Sequence, residues 1–249
     1  MDFINARIII TGAGAGFGRA MALTFSKLGA KIYALDIDQL ALNNLCDEDN
    51  AIFAFVCDVS DNEQVERIVD VIYALDKTVN VLINNAGIMK NSPMVNILSR
   101  PDSRHSVELW DKVIAVNQNS VFYMTRSVAA KMIRYRNKGV IVNISSISAR
   151  GNAGQTAYAA SKAAIEAMSK VWAKEFGCFG IRSVAVAPGF IDTAGTHDAL
   201  EEKMLEQWIA KTPLRRTGNI SEVVATIKFA IENDFMNGEV INVNGGLVI

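Results

Sequence analysis

Short apolar runs alternate with longer segments of helical spacing along the whole chain. Arg7–Thr11 (RIIIT), Lys31–Leu35 (KIYAL), Ile52–Val56 (IFAFV), Val79–Ile83 (VNVLI), Val140–Ile144 (VIVNI), Ile181–Ala187 (IRSVAVA) and the short Val240–Val243 have the length and composition of strands. They are continuously apolar, which marks strands covered on both faces. Gly18–Leu28 reads as a helix, and Asn62–Leu75 places Val65, Ile68, Val69 and Ile72 on one helical face. Longer helical patterns run from about Val107 to Ile133 and from about Tyr158 to Phe176. Buried strands separated by helices predict an α/β fold, a doubly wound parallel sheet with helices on both faces. No linker, repeat or low-complexity segment breaks the pattern, so residues 1–249 are expected to form a single domain. Two stretches fit poorly. Residues 88–106 make a long loop with Pro93 and Pro101, and residues 191–211 read as a loop plus an amphipathic helix. Long segments at the carboxyl end of such a sheet shape substrate pockets.

Composition narrows the class of function. Hydrophobic residues make up 50% and charged residues 20%, which is a globular and not a disordered composition. With 25 basic and 26 acidic residues the formal net charge is -1, so neither nucleic acid nor a membrane surface is an expected partner. Cys46, Cys57 and Cys178 are widely spaced, which argues for free thiols in a reduced, cytoplasmic compartment. The first residues lack a signal-peptide pattern, and no apolar run has the length of a membrane span. His105 and His197 are the only histidines, so no metal site is expected.

Candidate chemistry begins at Thr11–Gly18 (TGAGAGFG), which follows the first strand and opens a helix. Glycines there permit a tight turn, and the helix N-terminus offers free N–H groups to a pyrophosphate. A glycine-rich turn with no ligand is the plain alternative; the strand–helix context favours a dinucleotide. Asp36 ends the second strand. A carboxylate there accepts hydrogen bonds from a ribose diol and repels a 2′-phosphate. It could instead cap the next helix, although Asp38 is placed to do that and leave Asp36 free. No Arg or Lys stands at 15, 17 or 37, so NAD is expected over NADP. Asn84-Asn85-Ala86-Gly87 follows the fourth strand, where Asn side chains could brace neighbouring strand ends or simply form a turn.

Tyr158 and Lys162 stand four apart on one helical face, with Ser145 at the end of the preceding strand. A phenol is a poor base at neutral pH, and a nearby ammonium is expected to lower its pKa. An isolated Tyr–Lys pair is most often a solvated helix face. A serine and a cofactor motif upstream point to proton transfer instead. Cys57, Met124, Met132 and Trp172 lie in apolar patterns and read as core. Trp110 is expected to pack near the start of its helix, and His197 reads as a rim residue.

Taken together these residues resemble the short-chain dehydrogenases/reductases over essentially the whole chain. The resemblance rests on Thr11, Gly12, Gly16 and Gly18, on Asp58 after the third strand, and on Asn84–Gly87. It continues through Asn117, Ser145, Tyr158-x-x-x-Lys162, Pro188-Gly189-x-x-x-Thr193 and the closing Asn242–Gly246. It implies a Rossmann-type fold and a catalytic set of Asn117, Ser145, Tyr158 and Lys162, with Ser145 taken over Ser146 because it lies thirteen residues before Tyr158. Cofactor contacts are implied at Gly12, Gly16, Phe17, Gly18, Asp36, Asp58, Val59, Asn85, Ala86, Gly87, Tyr158, Lys162, Pro188, Gly189 and Thr193. Within the family, Ile231–Ile241 (IENDFMNGEVI) and the extended loop after Gly87 are most similar to the type 2 3-hydroxyacyl-CoA dehydrogenases. The expected reaction is hydride transfer between NAD(H) and a 3-hydroxyacyl-CoA/3-oxoacyl-CoA pair. Lys90, Arg100, Arg104, Lys203, Lys211, Arg215 and Arg216 are candidate phosphate contacts for the CoA, or else ordinary surface charges. Alternatives are a 3-oxoacyl-carrier-protein reductase, a polyol, steroid or cyclic-alcohol dehydrogenase, or a cofactor-sensing binding protein. The family also implies a homo-oligomer, typically a tetramer.

Overall fold

The computed structural model describes residues 1–98, 101–193 and 202–249. Arg100 and His197 lie outside the described residues, as does the side chain of Lys203.

Seven parallel strands form one sheet: β1 (Arg7–Thr11), β2 (Lys31–Asp36), β3 (Ile52–Val56), β4 (Val81–Asn84), β5 (Gly139–Ile144), β6 (Ile181–Pro188) and β7 (Val240–Val243). Their order is β3-β2-β1-β4-β5-β6-β7. The chain reverses its direction of travel across the sheet between β1 and β4, and ligands of such sheets bind in the crevice beyond the strand ends at that point.

Strand periodicity divides the core in two. Ile8 and Ile10 of β1, Val81 and Ile83 of β4, and Val140 and Val142 of β5 pack on one face. They meet α1 (Gly16–Lys27) and a later helix, Ile220–Glu232, through Met21, Phe25, Val223 and Ile227. Ile9, Leu82 and Ile141, the intervening positions, pack on the other face. There they meet α3 (Asn62–Leu75) through Val65, Val69 and Ile72. The inner strands β1, β4 and β5 are therefore apolar on both faces, whereas on the edge strand β3 Phe53 and Val56 stay exposed. Cys57, Met124, Met132 and Trp172 are buried as expected, whereas Trp110 is partly exposed. Between β2 and β3 lies α2 (Gln39–Glu48), whose N-terminus is capped by Asp38 accepting from the Ala41 N–H at 3.0 Å.

Two helical features depart from the sequence pattern. The single helix expected over Val107–Ile133 is α4 (Val107–Ile114) and α5 (Ser120–Tyr135), joined by a π-helical turn at Ala115–Asn119. Wider turns of this kind occur mostly at functional sites. After α6 (Thr156–Phe176) and α7 (Glu202–Lys211), the helix at Ile220–Glu232 is α8, an element beyond those expected above. Its signal was present: Asn219 and Glu222 form a capping box ahead of Val223, Val224, Ile227 and Ile231. Among the described residues no helix is long and apolar enough to cross a membrane.

Candidate active site

The residues singled out by the sequence converge at the carboxyl ends of the strands. Gly12 follows β1, Asp36 ends β2, Asn85–Gly87 follow β4, Ser145 and Ser146 follow β5, and Pro188 ends β6.

Hydrogen bonds brace the glycine turn from across the sheet. Asn85 Nδ2 donates to the carbonyls of Thr11 (2.9 Å) and Gly12 (3.0 Å), and Thr11 Oγ1 accepts from the N–H groups of Asn85 and Ala86. Gly12 has φ +64°, and a Cβ there would lie 2.9 Å from Ala86 Cα, so a side chain is excluded by conformation and by space. Gly18 packs so closely that its Cβ would overlap the Gly12 carbonyl oxygen. Gly16 begins α1, and no side chain caps that helix end. Phe17 packs partly against the core. The second asparagine bond system is internal: Asn84 Nδ2 donates to Thr125 Oγ1 (3.0 Å) and Asn143 Oδ1 (2.8 Å).

Asp36 is not left free by the Asp38 cap. Its Oδ2 accepts from the Gly14 N–H at 2.8 Å and its Oδ1 from the Asp38 N–H at 3.0 Å. Each oxygen keeps a further lone pair, and the next residue, Ile37, is exposed and uncharged. Asp58 is exposed and accepts from both the N–H and the hydroxyl of Ser60, beside the buried Val59. Gly189 N–H donates to the Val243 carbonyl at 2.9 Å, tying the end of β6 to β7. Thr193 is the last described residue before the gap. The uncapped helix end, the glycine positions of the turn and the acceptor at Asp36 together fit a dinucleotide.

Asn117, Tyr158 and Lys162 come together beside Gly87. A Cβ on Gly87 would lie 3.3 Å from Asn117 Oδ1 and 3.6 Å from Lys162 Nζ. The fully buried Asn117 explains the π-helical turn. Its Oδ1 accepts from the Ile88 N–H (2.8 Å) and its Nδ2 donates to the Ile88 carbonyl (2.9 Å) and to Ser161 Oγ (3.3 Å). Lys162 is buried; its Nζ donates to the Ile144 carbonyl at 2.7 Å and lies 5.7 Å from the centre of the Tyr158 ring. Burial lowers the ammonium pKa to about 8. Burial also raises the Tyr158 phenol, and a hydrogen bond from Ser146 opposes that rise. The expected lowering of the phenol by Lys162 is not met: desolvation dominates, and the ammonium is bound to a backbone carbonyl.

The serine assignment is corrected by the structure. Ser145 Oγ donates to Glu166 Oε1 at 2.9 Å and also lies 3.3 Å from the Lys162 carbonyl, so it faces α6 and not the phenol. Ser146, the next residue, is instead the serine that opposes the pKa rise of the Tyr158 phenol. Successive side chains leaving a strand point to opposite sides, so one residue decides which hydroxyl reaches the site.

Around this centre, the 88–106 loop is held down next to Tyr158. Ser92 N–H donates to the Gly154 carbonyl (2.7 Å), and Gln155 Nε2 donates to Asn91 Oδ1 (2.8 Å). Farther out, Val95 and Arg104 pair antiparallel. Phe190 stacks on Trp208 of α7 with ring centres 4.9 Å apart. Several of the candidate phosphate contacts are already engaged. Arg104 is paired with Asp102 and Arg216 with Glu222, while Arg215 donates to the Ala210 carbonyl and Lys211 lies over the Trp208 ring.

Known proteins are similar to this chain over nearly its whole length. A family profile described as Enoyl-(Acyl carrier protein) reductase matches residues 12–248. The chain is 41% identical over 248 residues to the 3-oxoacyl-[acyl-carrier-protein] reductase FabG of Thermotoga maritima, covering 97% of each protein. It is 33% identical to the (3R)-3-hydroxyacyl-CoA dehydrogenase of Canis lupus familiaris, over 98% of this chain and 96% of that one. A crystal structure of a short chain dehydrogenase from Bacillus anthracis superposes with a TM-score of 0.88 at 26% identity, covering 99% of this chain and 97% of that one. With its seven-stranded Rossmann-type sheet and these full-length relatives, the chain belongs to the short-chain dehydrogenase/reductase family and is an oxidoreductase that uses a nicotinamide cofactor.

Proposed function

We propose that this enzyme interconverts a 3-oxoacyl thioester and the corresponding 3-hydroxyacyl thioester, with the acyl group carried on a carrier protein. The observation that carries this reading is the 41% identity, end to end, with a 3-oxoacyl-[acyl-carrier-protein] reductase. It displaces the CoA thioester as first reading. That reading is still supported by the 33% identical (3R)-3-hydroxyacyl-CoA dehydrogenase, but its proposed phosphate contacts at Arg104 and Arg216 are neutralised by Asp102 and Glu222.

The Gly12–Gly18 turn and Asp36 would hold the nicotinamide cofactor, which would supply or take up the hydride when bound. In the reducing direction Tyr158 gives its phenolic proton to the substrate oxygen as charge develops there. Its raised pKa keeps that proton in place at neutral pH. Ser146 donates a hydrogen bond at the same oxygen and orients it. Lys162, fixed by the Ile144 carbonyl, places positive charge beside the phenol as it loses its proton. Asn117 holds the backbone at Ile88 and thereby the floor below Gly87. Asp36 favours NAD(H), because a 2′-phosphate would meet its carboxylate and finds no cation at Ile37.

The loop after Gly87 and α7 flank the substrate side of the site; a reduced, cytoplasmic setting agrees with three free thiols, and a homo-oligomer is what the family implies. The test is turnover of one acetoacetyl group on a carrier protein, on CoA and on a short pantetheine thiol, each with NADH and NADPH. A kcat/KM highest on the carrier protein is expected. Equal values on all three thiols would leave only a generic ketone reductase.

A further inference from the structure

We propose that Glu166 is a positioning residue for the reaction, acting through Ser145 to hold the Ser146 hydroxyl on Tyr158. The inference rests on the roles given above to Ser146 and Tyr158.

The end of β5 carries two consecutive attachments to α6. Lys162 Nζ donates to the carbonyl of Ile144, the last residue of the strand, at 2.7 Å. Ser145 Oγ then donates to Glu166 Oε1 at 2.9 Å, and Ser145 is 2% exposed. Tyr158, Lys162 and Glu166 are spaced four apart, so they lie on one face of α6 at successive turns. The backbone of Ser145 is fixed from the other side, its N–H donating to the Val186 carbonyl of β6 at 2.7 Å. Beyond Ser145 the chain leaves the sheet. Ser146 has extended backbone, with φ -163° and ψ 155°, and its Oγ accepts from the Ser148 N–H at 3.1 Å. The last rigid point before the catalytic hydroxyl is thus Ser145, and its side chain has a single carboxylate partner. Without the Glu166 acceptor, a buried hydroxyl is left with only the longer 3.3 Å contact to a helix carbonyl. It then turns to find another partner, and the peptide joining it to Ser146 turns with it. Catalysis is sensitive to displacements of this size because the hydrogen bond must meet the oxygen in its reacting position.

A second route to the same residue is electrostatic: a carboxylate one turn from Lys162 could act through the ammonium. The two routes predict different behaviour for the amide. Glu166→Gln keeps a carbonyl acceptor for Ser145 and removes the charge; Glu166→Met keeps the length and removes both.

The experiment uses any ketone the enzyme reduces, so it does not depend on the thioester assignment. Glu166→Met should lower kcat about tenfold, the worth of one hydrogen bond, with substrate KM, cofactor Kd and Tm near wild type. Glu166→Gln should restore kcat with the pH profile unmoved. In a Ser146→Ala background, Glu166→Met should have no further effect on kcat, because its route is gone. A spectrophotometric titration of the Tyr158 phenol, taken as the difference from Tyr158→Phe, should show a higher pKa in Glu166→Met and the wild-type value in Glu166→Gln. Additive losses in the Ser146→Ala background, or a shifted pH profile with no rescue in Glu166→Gln, would overturn the proposal. A loss of Tm that accounts for all lost activity in Glu166→Met would reduce Glu166 to a packing role and overturn it equally. Absence of turnover with every thioester, with these effects intact on another ketone, would count against the proposed substrate alone.

Discussion

Ser145 gives its hydroxyl to Glu166 Oε1 at 2.9 Å, while Ser146, the next residue, is the serine that opposes the pKa rise of the Tyr158 phenol. The two substitutions should therefore separate. Ser146→Ala is expected to lower kcat about 10²-fold, the usual loss on removing a donor aimed at a developing oxyanion. Ser145→Ala should lose about tenfold, the scale of one positioning hydrogen bond. Steady-state kinetics of the pair decide the matter. A larger loss in Ser145→Ala would return the catalytic role to that residue.

Tyr158→Phe keeps the ring and removes the proton. Its kcat should fall by about 10²–10⁴-fold while the dissociation constant for the nicotinamide cofactor changes little. Near-native kcat in this variant would mean that another group transfers the proton.

Lys162 ties stability to pH. Burial brings its pKa from 10.5 to about 8, so the folded chain holds this proton less tightly than the unfolded chain. Below about 8 both states are protonated and the cost of burying the ammonium is fully present. Between about 8 and 10.5 the unfolded state carries the extra proton, and stability rises with pH. Above that window the cost is gone. Relative to Lys162→Met, the wild type should gain roughly 3 kcal/mol across the window, an order-of-magnitude figure. Urea unfolding of both proteins at about pH 7 and about pH 10 checks it, other titrating groups cancelling in the difference. A difference that stays constant with pH would show that Lys162 does not titrate abnormally.

Asp36→Asn should narrow the preference for NAD(H) over NADP(H). The amide oxygen can still accept from the Gly14 N–H, so the turn keeps its brace while the charge that repels a 2′-phosphate is lost. Titration calorimetry with both cofactors is the measurement. Equal dissociation constants in the wild type would remove the basis of the preference.

Gly18→Ala should abolish cofactor binding and cost stability, because its methyl group would overlap the Gly12 carbonyl oxygen. The effect is read by NADH fluorescence titration and by Tm. Unchanged affinity would show that the turn can widen without loss.

The sequence by itself determined the sheet, since short, nearly continuous apolar runs mark strands covered on both faces and stand out without any knowledge of their partners. Arg7–Thr11, Ile52–Val56 and Asn62–Leu75 are found at the boundaries their patterns predict. It also determined the positions of Tyr158 and Lys162, because helical spacing alone puts them on one face. α8 was equally legible, through its capping box and apolar spacing. Tertiary structure decided the rest, wherever a side chain's role depends on a partner far along the chain. Asn117 widens its helix because it binds the backbone at Ile88, so a continuous helical pattern concealed a π-helical turn. Asp36 holds the glycine turn because Gly14 folds back over β2. Between Ser145 and Ser146, counting residues to Tyr158 does not choose. The packing of Glu166 on α6 against the end of β5 does, by taking one hydroxyl and leaving the other to the phenol.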